Sequence, residues 1–282
     1  MFRHSVRFII WSFSILNFQG IHTQNLKESH LQNEIFLHPA DAFTAYTLKK
    51  GEWTYNQPPF VLPLPGWAMY GITNRITMEI DLLPLVGGFF QKPHLPVPSV
   101  NFRFFLSPQN RWIPAIAFET MYQHLWNEVT QSEKPVVKRK GNSWFGHFNF
   151  SWKISRNFYT HFSAGMSYVE NLYFHNGDTI QPREKFYSRS LTPDINLSLD
   201  YRMRPWISFH LTASYGTTFV YLDNIPHKRQ ISYGFRVAPF YRSRKAFFRN
   251  FRAEFIGFYI YLPDINAEIK SFLPVFPYFY WQ

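Results

Sequence analysis

Ile76, Met78, Ile80 and Leu82 alternate with Thr77, Glu79 and Asp81. In an extended strand successive side chains point to opposite faces, so this two-residue rhythm builds one apolar and one polar face. The rhythm returns in Val100, Phe102 and Phe104 around Asn101 and Arg103, and in Phe148, Phe150 and Trp152 around His147, Asn149, Ser151 and Lys153. Ile195, Leu197, Leu199 and Tyr201 oppose Asn196, Ser198, Asp200 and Arg202, and Ile207, Phe209, Leu211 and Ala213 oppose Ser208, His210, Thr212 and Ser214. Ile231, Tyr233, Phe235 and Val237 oppose Ser232, Gly234 and Arg236. Such repetition predicts an all-β chain. With 21% aromatic and only 17% charged residues, the chain has enough surface to bury and is not of the disordered type.

Past residue 20 no apolar run reaches the roughly 18 residues a membrane-crossing helix needs. A soluble β-sandwich would alternate too, so connection lengths have to separate the architectures. Tight polar links are expected at Thr73 to Arg75, Ser107 to Asn110, Ser155 to Asn157 and Met203 to Pro205, with a slightly longer one at Ser243 to Asn250. Long ones are expected at Gln57 to Pro65, Val86 to Pro96, Asn127 to Asn142, Glu170 to Ser188, Asp223 to Arg229 and Pro263 to Pro274. Short and long connections alternate, as in an up-and-down antiparallel barrel of about twelve strands with both termini at the short-turn end. Trp112, Trp144 and Trp206 begin proposed strands, while Trp152 and Trp281 lie near the ends of theirs. On one face, Trp144 and Trp152 would stand about 20 Å apart along the axis of a tilted strand, close to the height of an apolar membrane band.

Residues 1–22 have the character of a secretory signal peptide, with Arg3 and Arg7 ahead of an apolar stretch from Phe8 to Leu16. Residues 23–41 are expected to form a periplasmic N-terminal tail, and 42–282 the barrel. The chain closes on Pro277, Tyr278, Phe279, Tyr280, Trp281 and Gln282. This aromatic end resembles the C-terminal assembly signal of outer-membrane β-barrels of Gram-negative bacteria, and Tyr70 to Arg75 is similar to their periplasmic hairpin turn. The resemblance implies a transmembrane β-barrel in the cell outer membrane with short periplasmic turns and long extracellular loops. It also implies outer-membrane lipids, lipopolysaccharide and the barrel assembly machinery as partners.

On the polar faces lie Glu79, Asp81, Arg103, Glu119, His147, Lys153, His161, Asp200, Arg202, His210, Arg236, Arg252 and Glu254, which are expected to line the lumen. The expected function is a narrow porin-like pore or transport barrel for small solutes, whose mixed charge assigns no selectivity, and the alternative is a structural or surface-interaction barrel with a lumen filled and knitted by ion pairs. About sixteen strands are needed for an open aqueous channel, so a twelve-stranded lumen should be narrow or filled. His161 and Ser163 share a strand face and weakly resemble the His-x-Ser-Asn element of outer-membrane lipid hydrolases, with Ala164 in place of the Asn. The alternation turns both inward, whereas that family places its pair on the lipid-facing wall, and no orienting partner is evident.

The chain has no Cys, no metal-ligand spacing among its 11 His residues and no Gly-rich phosphate loop, so neither cofactor nor metal is expected. The net charge of +11 sits in loops and turns, including Lys134, Lys138, Arg139 and Lys140 in one loop and Arg242, Arg244, Lys245, Arg249 and Arg252 around a turn. That distribution suits solvated loops or anionic headgroups better than a nucleic acid, which needs basic and stacking side chains on one compact surface.

Overall fold

A computed structural model describes residues 43–57, 66–81, 99–129, 137–175, 185–220, 223–263 and 266–281. The expected signal peptide and periplasmic tail lie outside them. Twelve strands follow one another: β1 (Trp53–Gln57), β2 (Trp67–Thr73), β3 (Ile76–Asp81), β4 (Ser99–Ser107), β5 (Ala115–Val129) and β6 (Val137–Lys153). The second half comprises β7 (Phe158–His175), β8 (Lys185–Arg204), β9 (Ile207–Val220), β10 (Asp223–Val237), β11 (Phe251–Leu262) and β12 (Ala267–Trp281). Each pairs antiparallel with its neighbours in sequence, and β1 closes the ring on β12 through Tyr55↔Trp281 and Asn56↔Tyr280. Closure leaves no free sheet edge, the condition for a sheet to stand in hydrocarbon.

The wall is inverted relative to a soluble protein. On β8 Asn196, Ser198 and Asp200 are buried, while Ile195, Leu197 and Leu199 face outward and exposed. On β9 Ser208, His210 and Thr212 are buried against exposed Phe209 and Leu211, and on β6 His147, Asn149 and Ser151 are buried against exposed Trp144, Phe148 and Trp152. Monomeric soluble proteins rarely expose contiguous apolar area beyond a few hundred Å². An apolar outside with a hydrogen-bonded polar inside is the solution for a barrel immersed in lipid.

Several expected loops are strand. The stretch Asn127 to Asn142 continues the β5–β6 ladder as far as Val129↔Val137, and residues 130–136 lie outside the described residues. The stretch Glu170 to Ser188 is paired through Phe174↔Lys185. Polar side chains there mark only where a strand leaves the apolar layer, since a ladder can continue into water. Asp223 to Arg229 belongs to β10, with an irregularity between Ile225 and Lys228 where His227 has a φ of 59°. Pro263 to Pro274 overlaps β12, which starts at Ala267 and shifts register between Ile256↔Phe276 and Phe258↔Ser271. The extra residues form a bulge in β12, which absorbs a misfit without ending the pairing. Trp112 and Trp206 stand in turns ahead of β5 and β9 and do not begin them. The expected loops at Gln57 to Pro65 and Val86 to Pro96 lie almost wholly outside the described residues.

The β2–β3, β4–β5, β6–β7, β8–β9 and β10–β11 connections share one end of the barrel with the start of β1 and the finish of β12. The longest of these, residues 238–250, contains a single helical turn, α1 (Ala246–Arg249).

Candidate functional site in the barrel interior

The interior is occupied by the chain itself. Ahead of β1 the segment 43–48 belongs to no strand and bends at Ala45, and Thr44, Ala45, Tyr46, Thr47 and Leu48 are all buried. Its contacts are with inward side chains of the wall. Leu48 N donates to Thr77 Oγ1 at 2.8 Å on β3, Arg103 Nη1 on β4 donates to the Tyr46 carbonyl at 3.1 Å, and Ala45 N donates to Ser151 Oγ at 2.9 Å on β6. Phe43 meets the rings of Phe145 and His147 edge-on, and Tyr46 meets His161 on β7 the same way. A strap outside the sheet has backbone groups that must be paired when buried, and the polar inner wall supplies the partners.

A hook returns the chain to the wall. Gly51, with a φ of 84°, donates from its N to the Gly71 carbonyl at 2.8 Å, and Gly71 N donates to the Glu52 carbonyl at 2.9 Å. Gly51 has the left-handed backbone that glycine adopts without strain. At Gly71 the reason for glycine is proximity: a Cβ there would lie 1.9 Å from the Lys49 carbonyl oxygen.

Below and beside the strap run three clusters of buried charge. Arg103 grips Glu119 through Nε at 3.0 Å and Nη2 at 3.1 Å, and the same carboxylate accepts from Asn149 Nδ2 at 2.6 Å and from Asn101 Nδ2. Two oxygens with four donors satisfy the buried anion, which an isolated carboxylate could not achieve. On the opposite arc, Glu254 on β11 accepts from Arg236 Nη2 at 3.0 Å and from the Tyr280 hydroxyl, with His210 Nδ1 at 3.2 Å. In the third cluster His147 Nε2 lies 3.1 Å from Asp194 Oδ2, which also accepts from Ser167 Oγ.

Of the sequence candidates, Arg103, Glu119, His147, His161, Asp200, His210, Arg236 and Glu254 are buried in these walls. The structure brings Arg103 to Glu119, and His210 with Arg236 to Glu254. Glu79 is half-buried and accepts from Asn101 Nδ2, while Lys153 and Arg202, also half-buried, place their charged ends over the buried ring of Tyr159 at 5.8 and 5.5 Å. Arg252 is half-buried at the short-turn end, where Nη1 donates to the carbonyls of Arg249 and Phe251. The backbone of Asp81 pairs with Trp67 and Ser99, and its side chain lies outside the described residues. His161 is not directed at Ser163. Its Nδ1 meets Ser151 Oγ at 2.8 Å across the β6–β7 pair, and the Ser151 hydroxyl is at the same time the acceptor for Ala45 N.

The strap, Ser151 as a junction, Asp194 and Tyr280 escaped the sequence reading. Tyr280 was visible only as part of an aromatic terminus, although its even spacing from Tyr278 already put it on a single face with that residue. Asp194 follows Pro193, which obscured the strand. Asp200 carries no hydrogen bond on either carboxylate oxygen among the described residues. No three His, Asp or Glu side chains among the described residues are placed to hold a metal ion.

Closure, antiparallel up-and-down order and an apolar exterior around a polar interior define a transmembrane β-barrel of the outer-membrane type. No family model matches the sequence, and no curated protein matches it. A solved structure similar to it is the crystal structure of the β domain of the Bordetella autotransporter BrkA, at 9% identity over 81% of this chain and 94% of that one, with a TM-score of 0.28. With so loose a superposition, the class rests on the barrel's own closure and polarity.

Proposed function

We propose that this chain is an integral protein of the outer membrane whose lumen is sealed by its own segment 43–48, a membrane scaffold that holds its loop end at the surface. The observation behind this reading is the strap: five consecutive buried residues hydrogen-bonded to β3, β4 and β6 across the interior. The loop end would face lipopolysaccharide, and the aromatic terminal strand β12 would be the element that the barrel assembly machinery engages. Purified full-length protein in a planar bilayer tests the seal. The scaffold reading expects a silent membrane, and steady single-channel steps from the intact chain would overturn it.

Two observations favour a second reading, a small-solute path gated by the strap. The strap is anchored by hydrogen bonds that water could replace, and Asp200 is a buried carboxylate whose oxygens accept no hydrogen bond among the described residues. In that case the double variant Arg103→Ala, Ser151→Ala should conduct where the parent does not. The inward charges named above would then line the path.

A further inference from the structure

The five short-turn connections, residues 74–75, 108–114, 154–157, 205–206 and 238–250, contain seven Arg and Lys residues and no Asp or Glu. Four of the seven, Arg242, Arg244, Lys245 and Arg249, belong to one connection, and Arg75, Arg111 and Arg156 occupy three others. All seven are exposed, and among the described residues none is in a salt bridge with a carboxylate. A surface with that much charge of one sign repels itself unless a partner of the opposite sign covers it.

The same end displays large apolar side chains that the fold does not cover. Phe247 is 64% exposed and Phe248 43% on α1, Phe240 is 48% exposed just ahead of it, and Trp112 is 80% exposed beside Arg111. The three Phe rings are held against one another and against outward side chains of the wall. Phe247 packs on Trp281 with centroids 5.9 Å apart, and Phe240 packs on Phe251 at 6.2 Å. Tyr280 and Glu254 point into the lumen, so Trp281, one residue on, faces outward. The aromatic shelf is therefore continuous with the lipid-facing wall and ends where the cations begin. In the β4–β5 turn Asn110 Oδ1 accepts from both Trp112 N and Ile113 N at 2.8 Å, and the side chains of Trp112 and Ile113 are exposed there.

We infer that the short-turn end is a binding collar for anionic phospholipids of the adjoining leaflet, with the connection 238–250 as its main site. The Phe side chains of α1 enter the acyl boundary, and Arg242, Arg244, Lys245 and Arg249 take the headgroup phosphates. Charge complementarity selects the occupant: a zwitterionic headgroup returns no net attraction to an uncompensated cationic patch, whereas an anionic one does. The inference rests on the membrane reading proposed above.

Native mass spectrometry of the full-length protein released from mixed micelles tests it, with phosphatidylglycerol and phosphatidylcholine supplied in equal amounts. The expected result is retention of phosphatidylglycerol in clear preference to phosphatidylcholine. The variant Arg242→Gln, Arg244→Gln, Lys245→Gln, Arg249→Gln should lose that preference several-fold, and Phe247→Ser, Phe248→Ser should retain less of either lipid. Both variants leave the ladder intact and should keep the parent's heat-dependent gel mobility. Equal retention of the two lipids by the parent, or undiminished preference in the Gln variant, overturns the collar. Capture of an acidic protein by the patch in place of lipid overturns it as well. A parent chain that shows no heat-dependent mobility and does not associate with vesicles of either lipid would sink the membrane reading itself, a failure distinct from the other results.

Discussion

Arg103 on β4 donates to the main-chain oxygen of Tyr46 at 3.1 Å while its other nitrogens hold the carboxylate of Glu119. One guanidinium thus ties the strap to the wall and neutralises the anion beneath it. The two tasks cannot be separated by distance, but they can by substitution.

Arg103→Ala should leave Glu119 buried without its cation and the Tyr46 carbonyl without its donor. Breaking one side of a buried pair costs about 3–5 kcal/mol. Urea unfolding followed by intrinsic fluorescence should show a lowered midpoint. Arg103→Lys keeps the charge and loses the fork, so its midpoint should lie between those of the parent and the Ala variant.

Gly71→Ala should expel the hook while sparing the barrel, because the added methyl would sit on the Lys49 carbonyl oxygen. Limited trypsin digestion should cut faster after Lys49 and Lys50, with the barrel band still heat-modifiable on a gel. Unchanged protection at those lysines would show that the hook does not depend on the close approach at Gly71.

Leu197 stands seven residues before Arg204 at the turn end of β8, roughly 16 Å up a strand tilted about 45°. That is near the middle of the apolar layer, where an outward Arg costs about 2–4 kcal/mol. Leu197→Arg should therefore impair folding into vesicles, and Trp206→Arg, in the turn, should cost about 0–1 kcal/mol. Equal penalties measured by urea titration in vesicles would deny the depth dependence.

Ser151→Ala removes the acceptor of Ala45 N and the partner of His161 Nδ1. It should cost about 1–3 kcal/mol in the same titration, and Ser163→Ala less. A lipid hydrolase built on His161 and Ser163 would give the reverse split. Ester turnover would vanish on Ser163→Ala with stability nearly unchanged.

The barrel was legible in the sequence because its two faces differ so sharply. Along β8 each step from Ile195 to Tyr201 changes side, which marks a strand, and the alternation of short and long connections set the barrel apart from a sandwich, while the apolar face was seen to point outward only in the fold. The interior was legible as a list of residues and not as a set of contacts. That Arg236 and Glu254 meet follows from their direct register between β10 and β11, while Tyr280 joins them from the neighbouring strand β12. Ser151 and His161 are likewise direct partners across β6 and β7, a relation that spacing along one strand could not reveal. The strap was the least legible element. Phe43 to Leu48 has too few residues to show a period, and its burial comes from side chains as far along the chain as His161. Loop lengths were overestimated where polar residues continued a ladder beyond the apolar layer, as at Asn127↔Arg139.

The inside-out wall is the claim on which the rest depends, and a chain without Cys allows it to be read by single spin labels. Labels placed by Ile195→Cys, Leu197→Cys and Leu199→Cys, all on outward exposed positions of β8, should be relaxed strongly by oxygen and weakly by a water-soluble nickel chelate when the protein is in vesicles. Strong relaxation by the chelate at all three, with the protein remaining in the aqueous phase, would contradict the account and return the apolar faces to a soluble fold.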